Sequence, residues 1–379
     1  MNGGKHIVVT VNAAWNLLNY RTGIIRMLQD EGHRVTLLAP RDDSAPALEA
    51  LGCDFEHIAM TRRGKSPVTE AGVVANAYRT LRRLRPDAVI SFTIKNNIYT
   101  GIACRLLGIP FLPNVSGRGA VFQEPGLTVR AVLAAYRLAF NRAACVFYQN
   151  PEDRAFFLDH GIGSLDRSTL LPGSGVDLDK FQATPMPAHE APTFLMIARV
   201  LRDKGVAEYA AAARAVQARH PKARFVLIGG HGAGPEYMPE TDLAAWQAAG
   251  VIDYLGEVGD VRPLIAEADA VVLPSYYLEG TPRALIEAAA MGRPIVTTDT
   301  AGCRDTVAPG ATGFLCQPRD AGDLAEKLNA FANLTPEARV AMGAASRKRA
   351  ETLFDERIVI DAYRTALRAA LAPQTGGSG

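Results

Sequence analysis

Arg199 and Lys204 stand five positions apart in the segment Ile197 to Gly205. An arginine that ends a strand can grip phosphate oxygens with its planar fork, and a lysine a few residues on adds a compact charge. If a diphosphate leaves during a reaction, fixed cations and a helix amino terminus stabilise the negative charge that develops, a task otherwise open to a divalent metal. Further on, Glu279 and Glu287 stand eight positions apart. Eight helical residues would rotate the second carboxylate roughly 80° from the first, so an unbroken helix does not aim both at one site. A loop leading into a helix can. Thr281 reads as an N-cap, Pro282 suits the first helical position, and Gly292 before Arg293 and Pro294 reads as the stop. Glu279 is then expected on the loop and Glu287 about two turns into the helix, both near the carboxyl edge of a sheet where ligands of open α/β folds collect.

The elements that must hold these residues follow from the hydropathy pattern. His6 to Val11, Arg34 to Ala39, Ala88 to Phe92, Phe111 to Val115 and Cys145 to Gln149 are short β-rich runs, separated by longer segments with helical spacing. That is βαβ repetition. Leu171 to Pro192 collects prolines, Gly173, Gly175 and acidic residues, the composition of a linker. A second alternating series has strands at Thr193 to Ala198, Arg224 to Ile228, Ile252 to Leu255, Ala270 to Leu273 and Pro294 to Thr298, and a helical stretch from Pro336 to Ala372 closes the chain. The expected fold is α/β, with two Rossmann-like doubly wound domains facing across a cleft. Residues 1–178 form the first and 179–355 the second; residues 356–372 form a helix returning to the first, and 373–379 a flexible tail.

The glycine-rich turn Gly229 to Gly234 follows a strand but contains no G-x-G-x-x-G, and no G-x-x-x-x-G-K-[ST] occurs in the chain. Neither the dinucleotide fingerprint nor the Walker lysine is available. The turn serves close backbone packing or ligand contact equally well. His231 has no second ligand at metal spacing and reads as a loop residue, so no metal is expected.

With 48% hydrophobic and 21% charged residues, the chain is globular and long enough for two cores. Lys and Arg total 41 against 39 Asp and Glu, which argues against a general nucleic-acid binder. The charge is uneven, with 20 basic and 14 acidic residues through Gly175, leaving 21 and 25 beyond it. The amino-terminal half is therefore basic, as a partner for an anionic surface would be. Cys53, Cys104, Cys145, Cys303 and Cys316 are scattered and odd in number, so neither a disulfide framework nor a zinc site is indicated. The first apolar strand begins at His6, leaving no room for a signal peptide's apolar segment, and no apolar run approaches the roughly 18 to 20 residues that span a bilayer. A cytosolic protein is expected.

Four segments together resemble glycosyltransferase family 4: Asn16 to Arg21 after the first strand, Leu171 to Asp177 before Phe181, Arg199 to Gly205, and Leu273 through Glu287. The resemblance covers nearly the whole chain and is greatest to the bacterial branch that extends lipid-linked oligosaccharides, capsules and O-antigens. It implies the GT-B fold and a retaining transfer from a nucleotide sugar, with UDP as the expected nucleotide and no catalytic metal or other cofactor. It also implies that Arg199 and Lys204 hold the diphosphate, helped by amides at Gly280 and Thr281. Glu279 would contact the donor sugar near the reacting carbon, and Glu287, as an exposed cleft carboxylate, would accept hydrogen bonds from the ribose. The loop at Val258 would meet the nucleobase, and Gly230 is a further expected contact to the donor.

On the acceptor side, the strand ending at Phe92 is followed by Thr93, Ile94, Lys95, Asn96 and Asn97, where many relatives carry a histidine. Lys95 and Asn96, with Asn16, Gly117 and Arg118, are the expected contacts to a lipid-linked glycan. The basic clusters Thr61 to Lys65 and Leu81 to Arg85, with the apolar stretch Leu127 to Ala144, are expected to dock on an anionic membrane, placing the protein peripherally on the inner face of the cell membrane. The alternatives are a nucleotide-sugar epimerase of the same architecture and a non-catalytic nucleotide-sugar-binding protein.

Overall fold

The computed structural model describes residues 4–59, 67–122 and 126–372. The chain divides into two compact units, with breaks at Ser174/Gly175 and at Glu356/Arg357. The first break falls slightly before the expected 178/179 boundary.

The first unit holds a sheet of seven strands: β1 (His6–Thr10), β2 (Arg34–Ala39), β3 (Asp54–His57), β4 (Ala88–Phe92), β5 (Phe111–Val115), β6 (Val146–Tyr148) and β7 (Ser168–Leu170). Their order is β3-β2-β1-β4-β5-β6-β7 and the pairings are parallel. Helices on both faces bury such a sheet completely, which is why β4 and β5 are buried at every residue. The order reverses between β1 and β4, so that is the switch point of the unit.

The second unit repeats the plan with β8 (Thr193–Ile197), β9 (Arg224–Ile228), β10 (Asp253–Tyr254), β11 (Ala270–Leu273), β12 (Ile295–Thr298) and β13 (Gly313–Cys316). The order is β10-β9-β8-β11-β12-β13, again parallel, with its switch point between β8 and β11. Three strands, β3, β7 and β13, were not expected from the sequence. Each lies at a sheet edge. An edge strand needs no long apolar run, and Asp54-Phe55-Glu56-His57 has none.

The closing helix, Glu356–Leu371, sends Val359, Tyr363 and Leu367 into the core of the first unit. Spacing of four places these three on one helical face. The Tyr363 hydroxyl accepts a hydrogen bond from Asn114 Nδ2 at 2.9 Å, and Arg364 pairs with Glu31 at 2.8 Å.

Part of the surface expected to meet a membrane is engaged within the first unit. Helix Leu127–Phe140 buries Leu133, Tyr136 and Phe140 in the first unit's core, and Leu81 is buried while Arg83 pairs with Glu56 at 2.6 Å. The Thr61 to Lys65 cluster lies outside the described residues, as does the tail 373–379. Among the described residues no helix is long and apolar enough to cross a membrane.

Candidate active site

The loop after β8 carries Arg199 and then a short 3-10 turn, Arg202–Lys204. The turn ends at Gly205, whose φ of +79° suits glycine. A Cβ there would meet the Pro274 carbonyl oxygen at 2.2 Å, so only glycine lets this turn pack on the loop after β11. The two loops are then stitched together, because the Asp203 carbonyl accepts from Tyr276 N at 2.9 Å and Tyr277 N at 3.1 Å. Their strands are neighbours at the switch point, which is how residues distant in sequence come to share one place.

Lys204 is mostly buried and donates from Nζ to Glu279 Oε2 at 2.6 Å. Its ammonium also lies 5.3 Å from the centre of the Tyr277 ring, a cation–π contact. The other carboxylate oxygen, Oε1, accepts from Ser275 Oγ at 2.8 Å. Asp203 completes the cluster. Burial pushes its carboxyl above the ordinary range, the positive charge of Lys204 opposing the rise and the negative charge of Glu279 reinforcing it. Arg199 is exposed, and its guanidinium makes no hydrogen bond or ion pair among the described residues. The structure thus pairs Lys204 with Glu279 and leaves Arg199 available to an anion.

Glu287 lies in helix Arg283–Ala290, which begins one residue later than expected. Pro282 is the N-cap, with ψ of 123°, and Thr281 stands outside the helix. The extended ψ of Pro282 leaves no helical position for it, so Thr281 does not cap. Glu287 is also not the exposed carboxylate expected. It is 9% exposed, and Arg283 Nε donates to its Oε1 at 2.7 Å, one turn away at i,i+4. Arg283 also donates from Nη1 to the Gly175 carbonyl at 3.1 Å. Burial pushes the Glu287 carboxyl up, and the neighbouring Arg283 charge pulls it down.

Gly280 and Thr281 are buried between these two carboxylates in sequence. A Cβ at Gly302 would meet the Gly280 carbonyl at 2.1 Å, so this loop is backed by a glycine of the loop after β12. Gly230 and Val258 are both half-buried on loops after β9 and β10. Those loops are joined, since Gly229 N donates to Gly256 O at 2.8 Å and Tyr254 Oη to Gly229 O at 2.9 Å. Gly229 itself has φ of +143° and a Cβ would meet Ala198 O at 1.8 Å, which accounts for the glycine turn by close packing. The His231 ring nitrogen Nε2 sits 2.7 Å from the Met238 carbonyl, and no group of three metal-ligating side chains occurs among the described residues.

The expected acceptor contacts fare differently in the first unit. Asn96 is fully buried, with its amide engaged by Thr10 Oγ1 at 3.2 Å, Ser91 Oγ at 3.0 Å, the Phe92 carbonyl at 3.1 Å and Thr100 Oγ1 at 3.3 Å. With its hydrogen-bonding capacity consumed inside the fold, it is not an acceptor contact. Arg118 is likewise committed, to Asp153 at 2.8 Å and to the face of Phe156 at 4.8 Å, while Gly117 is buried with φ of +114°. Lys95 is partly exposed and donates to Glu70 at 2.8 Å. Asn16 is half-buried. Sequence reasoning missed Ser275, Tyr277, Asp203 and Arg283. Only the i,i+4 spacing of Arg283 and Glu287 offered a signal for any of them.

Two doubly wound α/β units, with cations and carboxylates gathered at the carboxyl edge of the second, define a class of two-domain transferases. Residues 179–349 match the family described as glycosyl transferases group 1, and residues 19–173 match the glycosyl transferase 4-like domain. The chain belongs to this glycosyltransferase family, family 4, and has the GT-B fold. Over 370 residues it is 27% identical to the N,N'-diacetylbacillosaminyl-diphospho-undecaprenol alpha-1,3-N-acetylgalactosaminyltransferase of Campylobacter jejuni, an alignment covering 93% of this chain and 95% of that one. It is 24% identical over 293 residues to an Escherichia coli UDP-Gal:alpha-D-GlcNAc-diphosphoundecaprenol alpha-1,3-galactosyltransferase, with 73% of each chain covered. Among solved structures, an Anabaena protein in complex with UDP and glucose superposes with a TM-score of 0.77 at 17% identity, covering 96% of this chain and all of the other.

Proposed function

We propose that this glycosyltransferase moves a hexose or N-acetylhexosamine, with retention, from a UDP-sugar to a hydroxyl of a polyprenyl diphosphate-linked glycan, without a catalytic metal. The observation that carries the reading is the pairing of Lys204 with Glu279 beside an unengaged Arg199 at the switch point of the second unit. The relatives named above supply the donor and acceptor classes.

In this reading Arg199 and Lys204 bind the donor diphosphate, and their charge matters most as that group departs. Lys204 is pulled between the phosphate and Glu279, so Glu279 shares its cation and turns acceptor capacity toward the donor sugar, where positive charge builds at the reacting carbon. Glu287, held at Oε1 by Arg283, accepts from the ribose hydroxyls. Amides near Gly280 and Thr281 add donors to the phosphate, and the loops of Gly230 and Val258 lie toward the base. The acceptor hydroxyl attacks on the face that the diphosphate leaves, and the departing phosphate oxygen takes its proton. No side-chain base is then required.

Asn16 and Lys95 remain on the acceptor side, and the basic half holds the enzyme on the anionic inner surface of the membrane. The test is sugar transfer from UDP-N-acetylgalactosamine or UDP-galactose to a polyprenyl diphosphate-linked sugar, with and without chelator, on vesicles at several salt concentrations. Transfer should survive chelation, and vesicle binding should fall as salt shortens the Debye length from roughly 10 Å at 0.1 M to about 3 Å at 1 M. A changed sugar on the nucleotide with no acceptor present would favour an epimerase, and a strict demand for one divalent ion would overturn the side-chain electrophile.

A further inference from the structure

We propose that Ser275 is a positioning residue that fixes the carboxylate of Glu279, an assignment that rests on the glycosyltransferase reading above. Ser275 is fully buried two residues beyond β11, out of reach of any ligand, so whatever it contributes to the reaction passes through a neighbour. That neighbour is Glu279, whose Oε1 lies 2.8 Å from the Ser275 hydroxyl.

A serine hydroxyl has one proton to give. Among the described residues the only other acceptor within range is the Asp203 carbonyl, at 3.4 Å, and the shorter bond to a charged oxygen wins. The Tyr277 N–H, shared between the Asp203 carbonyl at 3.1 Å and the Ser275 oxygen at 3.3 Å, lies on the acceptor side of the same hydroxyl. The backbone of Ser275 is itself pinned, because its carbonyl accepts from the hydroxyls of Thr298, the last residue of β12, and of Thr300 on the loop after it.

Glu279 is therefore held at both oxygens, by a hydroxyl on one and by the Lys204 ammonium on the other. Two fixed points set the plane of the carboxyl group and leave its remaining lone pairs in defined directions. The two holds differ in what becomes of them. A donor diphosphate competes for the lysine, whereas nothing in the reaction competes for the buried serine. Once donor is bound, the serine hydrogen bond is the hold that still specifies where the carboxylate faces.

The experiment measures kcat at saturating donor, the UDP dissociation constant and the melting temperature for Ser275→Ala, alone and combined with Glu279→Gln. Loss of one hydrogen bond to a charged group should lower kcat about ten-fold. UDP affinity should stay within two-fold, because Arg199 and Lys204 are untouched. In the Glu279→Gln background the same substitution should lower kcat less than two-fold, since residues acting through one group are not additive. Ser275→Cys, close to serine in shape but a weak donor, should stay near the alanine value.

Equal losses in both backgrounds, full activity in Ser275→Cys, or UDP affinity and melting temperature falling in step with kcat would each overturn the assignment in favour of a packing role. Normal transfer by Ser275→Ala overturns it alone. Absence of transfer by the unmodified protein overturns the functional reading and this assignment together.

Discussion

The two sheets each reverse strand order once, and their switch points are furnished in different ways. Between β8 and β11 the loops bring Arg199, Asp203, Lys204 and Glu279 together, with Lys204 and Glu279 paired at 2.6 Å, Asp203 half-buried beside them and Arg199 exposed. Between β1 and β4 the corresponding positions hold Thr10, Ser91 and Asn96, neutral groups that satisfy each other inside the fold. Lys95, at the start of the helix after β4, turns to Glu70, and the Arg21 guanidinium lies over the Phe92 ring at 4.1 Å. One topology thus supports two edges, the first carrying charged side chains and the second neutral ones that bond one another. Function resides in what is grafted on the edge and not in the edge itself.

Three substitutions separate the two edges. The largest effect should come from Arg283→Ala, which strands the buried Glu287 carboxylate without its partner. Breaking a buried pair from one side costs about 3 to 5 kcal/mol, measurable by urea denaturation. The pH dependence carries a definite sign. Burial already raises this carboxyl, so its contribution to stability is present below the unfolded-state value and is lost as pH rises through the folded one. The deficit of the variant should shrink in acid, where the group is protonated, and a deficit equal at every pH would sink this account.

Next is Asn96→Ala, expected to lower stability by about 1 to 3 kcal/mol by orphaning buried hydroxyls and a carbonyl, while the KM values for donor and acceptor hold. A raised acceptor KM at unchanged stability would return Asn96 to the acceptor site and blur the contrast between the edges.

The smallest effect is at Thr93, a β-branched residue with φ of +71° and ψ of 146° at the end of β4. Such a conformation belongs to glycine, so Thr93→Gly should raise stability by about 1 kcal/mol, seen as a higher midpoint in urea. Destabilisation would show that the threonine side chain repays its strain locally.

How much of this was visible in the residues depended on burial. A parallel strand covered on both faces must be apolar throughout, so the central strands stood out, while β3, β7 and β13 at the edges carry no such constraint. The loop-then-helix placement of Glu279 and Glu287 followed from Pro282 and Gly292, although Pro282 itself serves as the cap. Pairings were harder to see. Lys204 meets Glu279 only because two strands far apart in sequence lie side by side, and Ser275 has no property in isolation that marks it. Asn96 misled for the opposite reason. Polar residues just past a strand can face a ligand or satisfy the fold, and spacing does not distinguish the two.

The closing helix has a consequence for how the protein is made. Residues 175–356 are contiguous, whereas the first unit lacks Val359, Tyr363 and Leu367 until the last stretch of chain has been synthesised. Domains generally fold as units during synthesis, the amino-terminal one first. Here the unit that emerges first from the ribosome waits longest for its core, holding an open apolar face around Phe147 and Phe92 while the unit behind it has all its residues. Birth order and completion order are inverted, and a chain cut after residue 356 would keep every residue of the second unit while lacking the helix that fills the core of the first.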